Sequence, residues 1–311
     1  MSFRLQADES VADAIRRLAC KQIDKALDRL TARGKGTVRD EAVHDARKRC
    51  KKVRALLRLV RKDLGSRSFD RENTNFRDAA RPLTEVRDAK ALVDALDKLL
   101  DHFAGEVSSR RFVKVRQGLQ SDQRGVRRRV LDQEDAFAKV TRAVKSAGKR
   151  VKEWNIGPDK WSTLGRGLQS VYKSCQRAFS EATADPTVDN LHEWRKQVKY
   201  LWHQLQVLES IWPEVMKELS GQAHGLADLL GDDHDLAVLR QKLVAETDKA
   251  SNSSTPETLL ALIDRRREEL QHAAFLVGKR FFYDRPRAFA DRLKTYWKAW
   301  RAEIANAAVA S

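Results

Sequence analysis

Cysteine is scarce in this 311-residue chain, and Cys20, Cys50 and Cys175 are an odd, widely spaced set without a Cys-x-x-Cys pair. That excludes a disulfide framework and a zinc cluster, and it predicts three free thiols in a reducing compartment. Long apolar runs are absent too: the window Val53 to Val60 is short and interrupted by arginine. No membrane span is expected. The opening residues MSFRLQADES hold no apolar core of a secretory signal, so the expectation is a soluble, cytoplasmic protein with no membrane partner. Alternating Val/Ile/Thr runs, the mark of strands, are missing, and only 6 Pro and 14 Gly interrupt the chain. No Gly-rich phosphate loop, nucleophile elbow or His-Glu-x-x-His motif occurs, which removes the common nucleotide, acyl-transfer and zinc-protease chemistries and leaves no cofactor indicated.

Positive charge is abundant. Lys and Arg number 61 against 44 Asp and Glu, for a net charge of +17 and a pI near 9.9. Hydrophobic residues at 41% are too many for a disordered chain, and charged residues at 34% must crowd its surfaces. Acidic partners are attracted by such a field, and nucleic acid, anionic lipid and polyphosphate are the candidates.

Apolar residues recur three and four positions apart over long stretches, which is the period of amphipathic helices. The fold class is therefore all-α. Breaks at Gly34-Lys35-Gly36, Gly65-Ser66, Gly105, Gly157-Pro158, Asp185-Pro186, Trp212-Pro213 and Ser251 to Pro256 divide the chain into about eight helical segments. Pro82 is expected to kink the third segment without ending it, because helix-forming sequence continues on both sides.

The chain repeats itself. Val43-His44-Asp45-Ala46-Arg47-Lys48-Arg49-Cys50-Lys51 returns as Leu191-His192-Glu193-Trp194-Arg195-Lys196-Gln197-Val198-Lys199. A weaker echo links Leu83-Thr84-Glu85-Val86-Arg87-Asp88 to Leu230-Gly231-Asp232-Asp233-His234-Asp235 at nearly the same distance from the first motif. Duplication follows, with halves 1–156 and 157–311.

At about 100° per residue, His44, Arg47, Lys48, Lys51, Arg58 and Lys62 fall within roughly 60° of one line along a helix. Ala46, Cys50, Val53, Leu57, Val60 and Leu64 lie opposite and face a core. In the second copy His192, Arg195, Lys196, Lys199 and His203 repeat the stripe, and Trp194, Val198, Leu201, Leu205 and Leu208 repeat the core face. Like charges at this spacing oppose helix formation by a few tenths of a kcal/mol per pair, so an external anion is needed to neutralise them. A solvated face has no reason to keep His, Arg, Lys and Lys at the same offsets in two halves. Protonation of the histidines below about pH 6.5 should strengthen anion binding.

Two rival readings use the same residues. His44-Asp45, His234-Asp235 and the run Asp232-Asp233-His234-Asp235 suggest the ligands of HD-type metal-dependent phosphohydrolases, although Asp45 lies about 100° around the helix from His44. Nucleic acid would use the same electrostatics but also needs exposed aromatics for base stacking. Tyr200 and Trp202 only flank the stripe, while Trp194, Trp212, Trp297 and Trp300 have core spacing. Arg127-Arg128-Arg129 is either a further polyanion contact or a solvated face. Asp88 and Asp235 serve either to orient basic neighbours or to satisfy helix ends.

The two histidine-led basic helices, the paired segments ending in Asp88 and Asp235, and the closing run Gly278-Lys279-Arg280-Phe281-Phe282-Tyr283 through Pro286, Phe289 and Tyr296-Trp297 together resemble the CHAD domain, the conserved histidine α-helical domain. The resemblance spans nearly the whole chain. It implies two four-helix bundles related by a pseudo-two-fold axis, with the repeated helices lining a central basic groove or channel that binds inorganic polyphosphate, and association with polyphosphate granules. It carries His44, Arg47, Lys48, Lys51, His192, Arg195, Lys196 and Lys199 over as ligands, with Arg58, Lys62, Arg81, Lys173, Arg177, Lys279 and Arg280 in a second tier. A non-enzymatic binding module is the expectation. The second copy has Tyr200, Trp202 and Gln206 where the first has Lys52, Arg54 and Arg58, so the groove should be more basic on its first half.

Overall fold

The computed structural model describes residues 3–32, 36–247 and 254–310. The breaks expected at Gly34-Lys35 and Ser251 to Ser253 lie outside them. All regular structure among the described residues is helical: α1 Val11–Thr31, α2 Thr37–Leu59, α3 Arg61–Ala79, α4 Thr84–His102, α5 Val113–Arg127, α6 Ala136–Lys149, α7 Trp161–Ala184, α8 Val188–Val207, α9 Pro213–Thr247, α10 Ser254–Phe281 and α11 Pro286–Ala310. No helix is long and apolar enough to cross a membrane, among the described residues.

Local chemistry sets the starts. The Ser10 hydroxyl accepts the Asp13 N–H at 3.1 Å ahead of α1, and Thr187 accepts the Asn190 N–H at 3.3 Å ahead of α8; each replaces a hydrogen bond the first turn lacks. Pro213 and Pro286 open α9 and α11, where a missing N–H costs nothing.

The chain is more broken than the expected eight segments, and most of the extra breaks fall in the first half. The second basic helix begins with α8, and α9 then runs unbroken for 35 residues. Its first-half counterpart is split. The α2 helix stops at Val60 (φ −105°, ψ 16°), α3 bends at Gly65 (φ 73°), and Pro82 sits in a short 3-10 turn, Arg81–Leu83, that separates α3 from α4. Pro82 therefore ends the helix where a kink was expected, because its ring excludes the preceding turn and it has no N–H to donate.

The packing of the first half recurs in the second. The α1 helix packs on α2 and α6 as α7 packs on α8 and α11; α4 packs on α5 as α9 does on α10. Between halves, α2 meets α8 and α4 meets α9, so equivalent elements meet each other as a two-fold relation requires. The core does not divide at the sequence midpoint. One buried cluster draws on α1 to α3, α6 to α9 and α11, and a second on α4, α5, α9 and α10. Expected core positions are buried, with Ala46, Val53, Leu57, Trp194, Val198 and Leu201 at 1% exposure or less, each large side chain contributing about 1.5–3 kcal/mol. At Gly167 a Cβ would lie 1.9 Å from the Leu59 carbonyl oxygen, so α7 crosses the end of α2 at backbone contact.

Candidate functional site

The two repeated helices lie against each other. Gln204, fully buried on α8, donates to the Ala55 carbonyl of α2 at 3.3 Å. The apolar faces enter the shared core, and the stripes are left to bound a groove.

Three recesses meet along that groove. One of about 170 Å³ is lined by His44, Arg47, Lys48 and Lys51 of α2, Arg87 of α4, Lys199, Trp202 and His203 of α8, and His224 and Asp228 of α9. It has five Lys or Arg against one carboxylate. A second, of about 290 Å³, shares Arg47 and Lys51 and adds Arg54, Arg77 and Arg81 against Asp78. The third is larger, about 730 Å³; it shares His44 and Arg87 but has four Lys or Arg against six aspartates. The groove thus changes from basic to acidic at His44 and Arg87. Most cations of the 170 Å³ recess come from the first half, but through Lys48 and Arg87 and not through Lys52, Arg54 or Arg58, none of which lines it.

Arginine heads are set by the second repeated segment. Arg47 donates to the Thr84 hydroxyl at 2.6 Å and, at 3.2 Å, to the Ala80 carbonyl, which also accepts the Leu83 N–H at 3.3 Å. Arg195 lies across Gly231, where an added Cβ would stand 3.0 Å from its Nη2. Thr84 and Gly231 are equivalent positions of the repeat, so each half seats its arginine on the same spot. Asp235 accepts two hydrogen bonds from Arg87, at 3.1 and 3.3 Å, and stands 3.9 Å from Arg195. Asp88 accepts from Arg87 at 3.2 Å. Asp235 lies mid-helix, so of its two expected roles it takes the orienting one.

The cations oppose one another's charge. Burial, then Lys199, Arg47, Arg195 and Arg87, push Lys51 below the usual lysine range, an effect that water moderates because the residue is exposed. It stands in an open recess crowded by protein. Lys199 is lowered to about 8 by burial, then by Arg195 and Arg87. Arg47 and Arg195 are both lowered, chiefly by burial. Arg87 alone is raised: burial acts against its charge, but Asp235 and Asp88 outweigh it. His44 is lowered by burial, then by Lys48, Arg87 and Lys51, and His192 by burial, then by Arg195, Lys196 and Lys51. This corrects the expected gain of histidine charge below pH 6.5, which is displaced to more acid pH. The His192 ring lies 4.4 Å from that of His234 between centroids, tilted to it, and burial, then His192 and Arg195, lower His234 to about 4.

Other expected ligands lie elsewhere. Arg58 stacks on Tyr200, 3.8 Å from the ring centroid, and donates to Asn73 at 2.8 Å and to the Arg54 carbonyl at 3.1 Å; it is a packing residue between α2 and α8. Lys62, Lys173 and Arg177 are exposed on α3 and α7, with Arg177 beside Glu181 at 3.6 Å. Lys279 and Arg280 are exposed at the end of α10, where Arg280 borders a separate recess with Phe281 and Tyr283. None of these lines the three recesses, whereas Arg81 does. Lys196 is exposed and paired with Glu193, and neither it nor His192 nor Arg195 lines the three recesses.

The histidine-aspartate run disperses. Asp232 pairs with Lys98 at 2.8 Å, Asp233 with Arg267 at 3.0 Å, and Asp45 with Arg29 at 3.1 Å. Among the described residues no three His, Cys, Asp or Glu side chains converge on a metal-sized site. Arg127 pairs with buried Asp40 at 3.2 Å and Arg129 with Glu85 and Glu134, while Arg128 is exposed. Trp212, expected in the core, is 45% exposed and meets Tyr296 edge-on. The cysteines carry no disulfide. Arg87, absent from the expected ligand set, was signalled only by the weak echo that ends in Asp88 and Asp235.

The model of the CHAD domain matches residues 21–244. No curated protein matches the chain. Among solved structures, the crystal structure of the CHAD domain from the plant Ricinus communis superposes with a TM-score of 0.59 over 91% of this chain and 95% of that one, at 14% identity. A likeness at that identity bears on the fold alone, but the family match covers well over half of the sequence; the chain belongs to the CHAD domain family.

Proposed function

We propose that this chain binds inorganic polyphosphate in the groove between α2 and α8, that halves 1–156 and 157–311 act as one binding unit, and that binding brings the protein to polyphosphate granules. It acts by holding the polymer and not by hydrolysing it. The observation that carries the reading is Lys51 and Lys199 lining one narrow recess that holds one carboxylate, with the charge of Arg195 acting against both. In the free protein those charges are unfavourable. Phosphates placed between them supply the missing counter-charge, each charge-assisted hydrogen bond contributing about 1.5–3 kcal/mol before screening. A repeating row of tetrahedral anions matches a row of cations on two facing helices, and a longer chain engages more of them at once.

Width favours a slim polymer. Recesses of about 170 and 290 Å³ fall at or below the small end of ligand pockets, about 300 Å³, and cannot admit a duplex. Phe76 and Trp202 line the basic recesses: Phe76 is fully buried, and Trp202 already has His203 stacked on it at 4.5 Å and His224 tilted against it at 4.0 Å, which leaves little for a base. Titration with polyphosphate of increasing length, with duplex DNA and RNA as competitors, tests the reading. Affinity is expected to rise with chain length and to survive an equal phosphate concentration of nucleic acid. Equal or better competition by nucleic acid would overturn it.

A further inference from the structure

Asp235 is out of place in a site for polyanions. It borders the groove, its side chain keeps 19% of its accessible surface, and by charge alone it repels phosphate. Its contacts point to another role. It receives both Nη atoms of Arg87 at 3.1 and 3.3 Å and stands 3.9 Å from Nη1 of Arg195. Arg87 belongs to the first half, and Asp235 and Arg195 to the second, so the Arg87–Asp235 ion pair crosses between the halves. Gly231 lies one turn earlier on the same face of α9. With no side chain there, the Arg195 guanidinium can settle between Gly231 and Asp235.

We propose that Asp235 is a positioning residue: by holding Arg87 of α4 and Arg195 of α8 together, it fixes the spacing of cations across the groove and so favours a regular linear polyphosphate over other polyanions. This inference rests on the proposed function. Two like-charged guanidinium groups that share one carboxylate cannot drift apart in the empty groove, so a ligand meets donors already spaced. The repeat is also asymmetric here. The position equivalent to Arg87 in the second half is His234, whose ring lies 4.4 Å from that of His192 and tilted to it, so the arginine held by Asp235 has no arginine counterpart in the second half.

Charge and position are separable by substitution. Asp235→Glu keeps the net charge and moves the carboxylate by one methylene; Asp235→Asn adds a positive charge and removes the brace. Positioning predicts that both variants bind long-chain polyphosphate about tenfold more weakly, the scale of one lost charge-assisted contact, while binding duplex DNA as well as or better than the parent does. Affinities for both polymers and a thermal melt of each variant are the readouts. If Asp235→Glu matches the parent and Asp235→Asn binds polyphosphate more tightly, Asp235 only dilutes charge and the inference fails. Should Asp235→Asn not fold, Asp235→Glu decides alone. A parent protein that does not bind polyphosphate refutes the proposed function itself, an outcome distinct from parent and variants binding alike.

Discussion

Lys51 of α2 and Lys199 of α8, equivalent residues of the repeat, line one recess, and the charge of Lys199 helps drive the proton from Lys51. The empty groove is thus held in a state that folding alone would not choose. Lys199 is lowered to about 8 from an ordinary 10.5, so the unfolded chain binds the proton more tightly than the folded one. Its penalty is complete below pH 8 and fades as pH rises towards 10.5. Lys199→Met should therefore stabilise the ligand-free protein at pH 7, by on the order of 1 kcal/mol after allowance for partial exposure. The gain should vanish near pH 10.5. Urea unfolding of parent and variant across this range checks it, and the difference between them cancels the cysteine titrations.

The same linkage makes binding take up protons. A polyanion between Lys51 and Lys199 favours their charged forms, so near pH 8, where Lys199 is half-protonated, complex formation should consume protons, on the order of one per chain. Calorimetry in two buffers of different ionisation enthalpy measures the number and its sign. Proton release at pH 8 would contradict the placement of the polymer beside these lysines.

Much of this was legible from spacing. The faces of α2 and α8 follow from helical periodicity, and their core positions are buried as expected because apolar area decides which face turns inward. Loop geometry was less legible. Pro82 sits between good helix formers, so local preference suggests continuity, yet the helix stops, and the Ala80 carbonyl at its end accepts from both Leu83 N–H and Arg47. Arg58 has the offset of a ligand, but Asn73 and Tyr200 hold it away; neither partner is close in sequence, so no stripe argument finds them. Arg87 was missed for the opposite reason. Its value lies in Asp235, 148 residues away, and only the faint second repeat marks the pair.

Arg58 separates packing from binding. Arg58→Ala removes the stack on Tyr200 and the hydrogen bond to Asn73 and should cost about 1–2 kcal/mol of stability with little change in polyphosphate affinity. Lys51→Ala should do the reverse, with weaker binding and unchanged or higher stability. Lys62, Lys173, Arg177, Lys279 and Arg280, remote from the recesses, should tolerate alanine in both assays. A binding loss at Lys279 or Arg280 larger than at Lys51 would move the site to the end of α10.

Two glycines give the sharpest contrast between fold and site. At Gly167 an added Cβ meets the Leu59 carbonyl oxygen at 1.9 Å and its carbon at 2.5 Å. Both atoms are backbone and cannot yield without moving α2, so Gly167→Ala should destabilise by about 1–3 kcal/mol or more. At Gly231 the three atoms nearest the added Cβ all belong to the Arg195 guanidinium, at 3.0 to 3.4 Å, which is the movable tip of a side chain. Alanine also favours the helix by about 0.5–1 kcal/mol. Gly231→Ala should therefore melt at or above the parent temperature, yet bind polyphosphate roughly three- to tenfold more weakly, because the displaced head of Arg195 loses a charge-assisted contact. Thermal melts and polyphosphate titrations on the two variants test both halves of the contrast. A Gly231→Ala protein that is stable and binds normally would mean that the seat of Arg195 does not matter for the ligand.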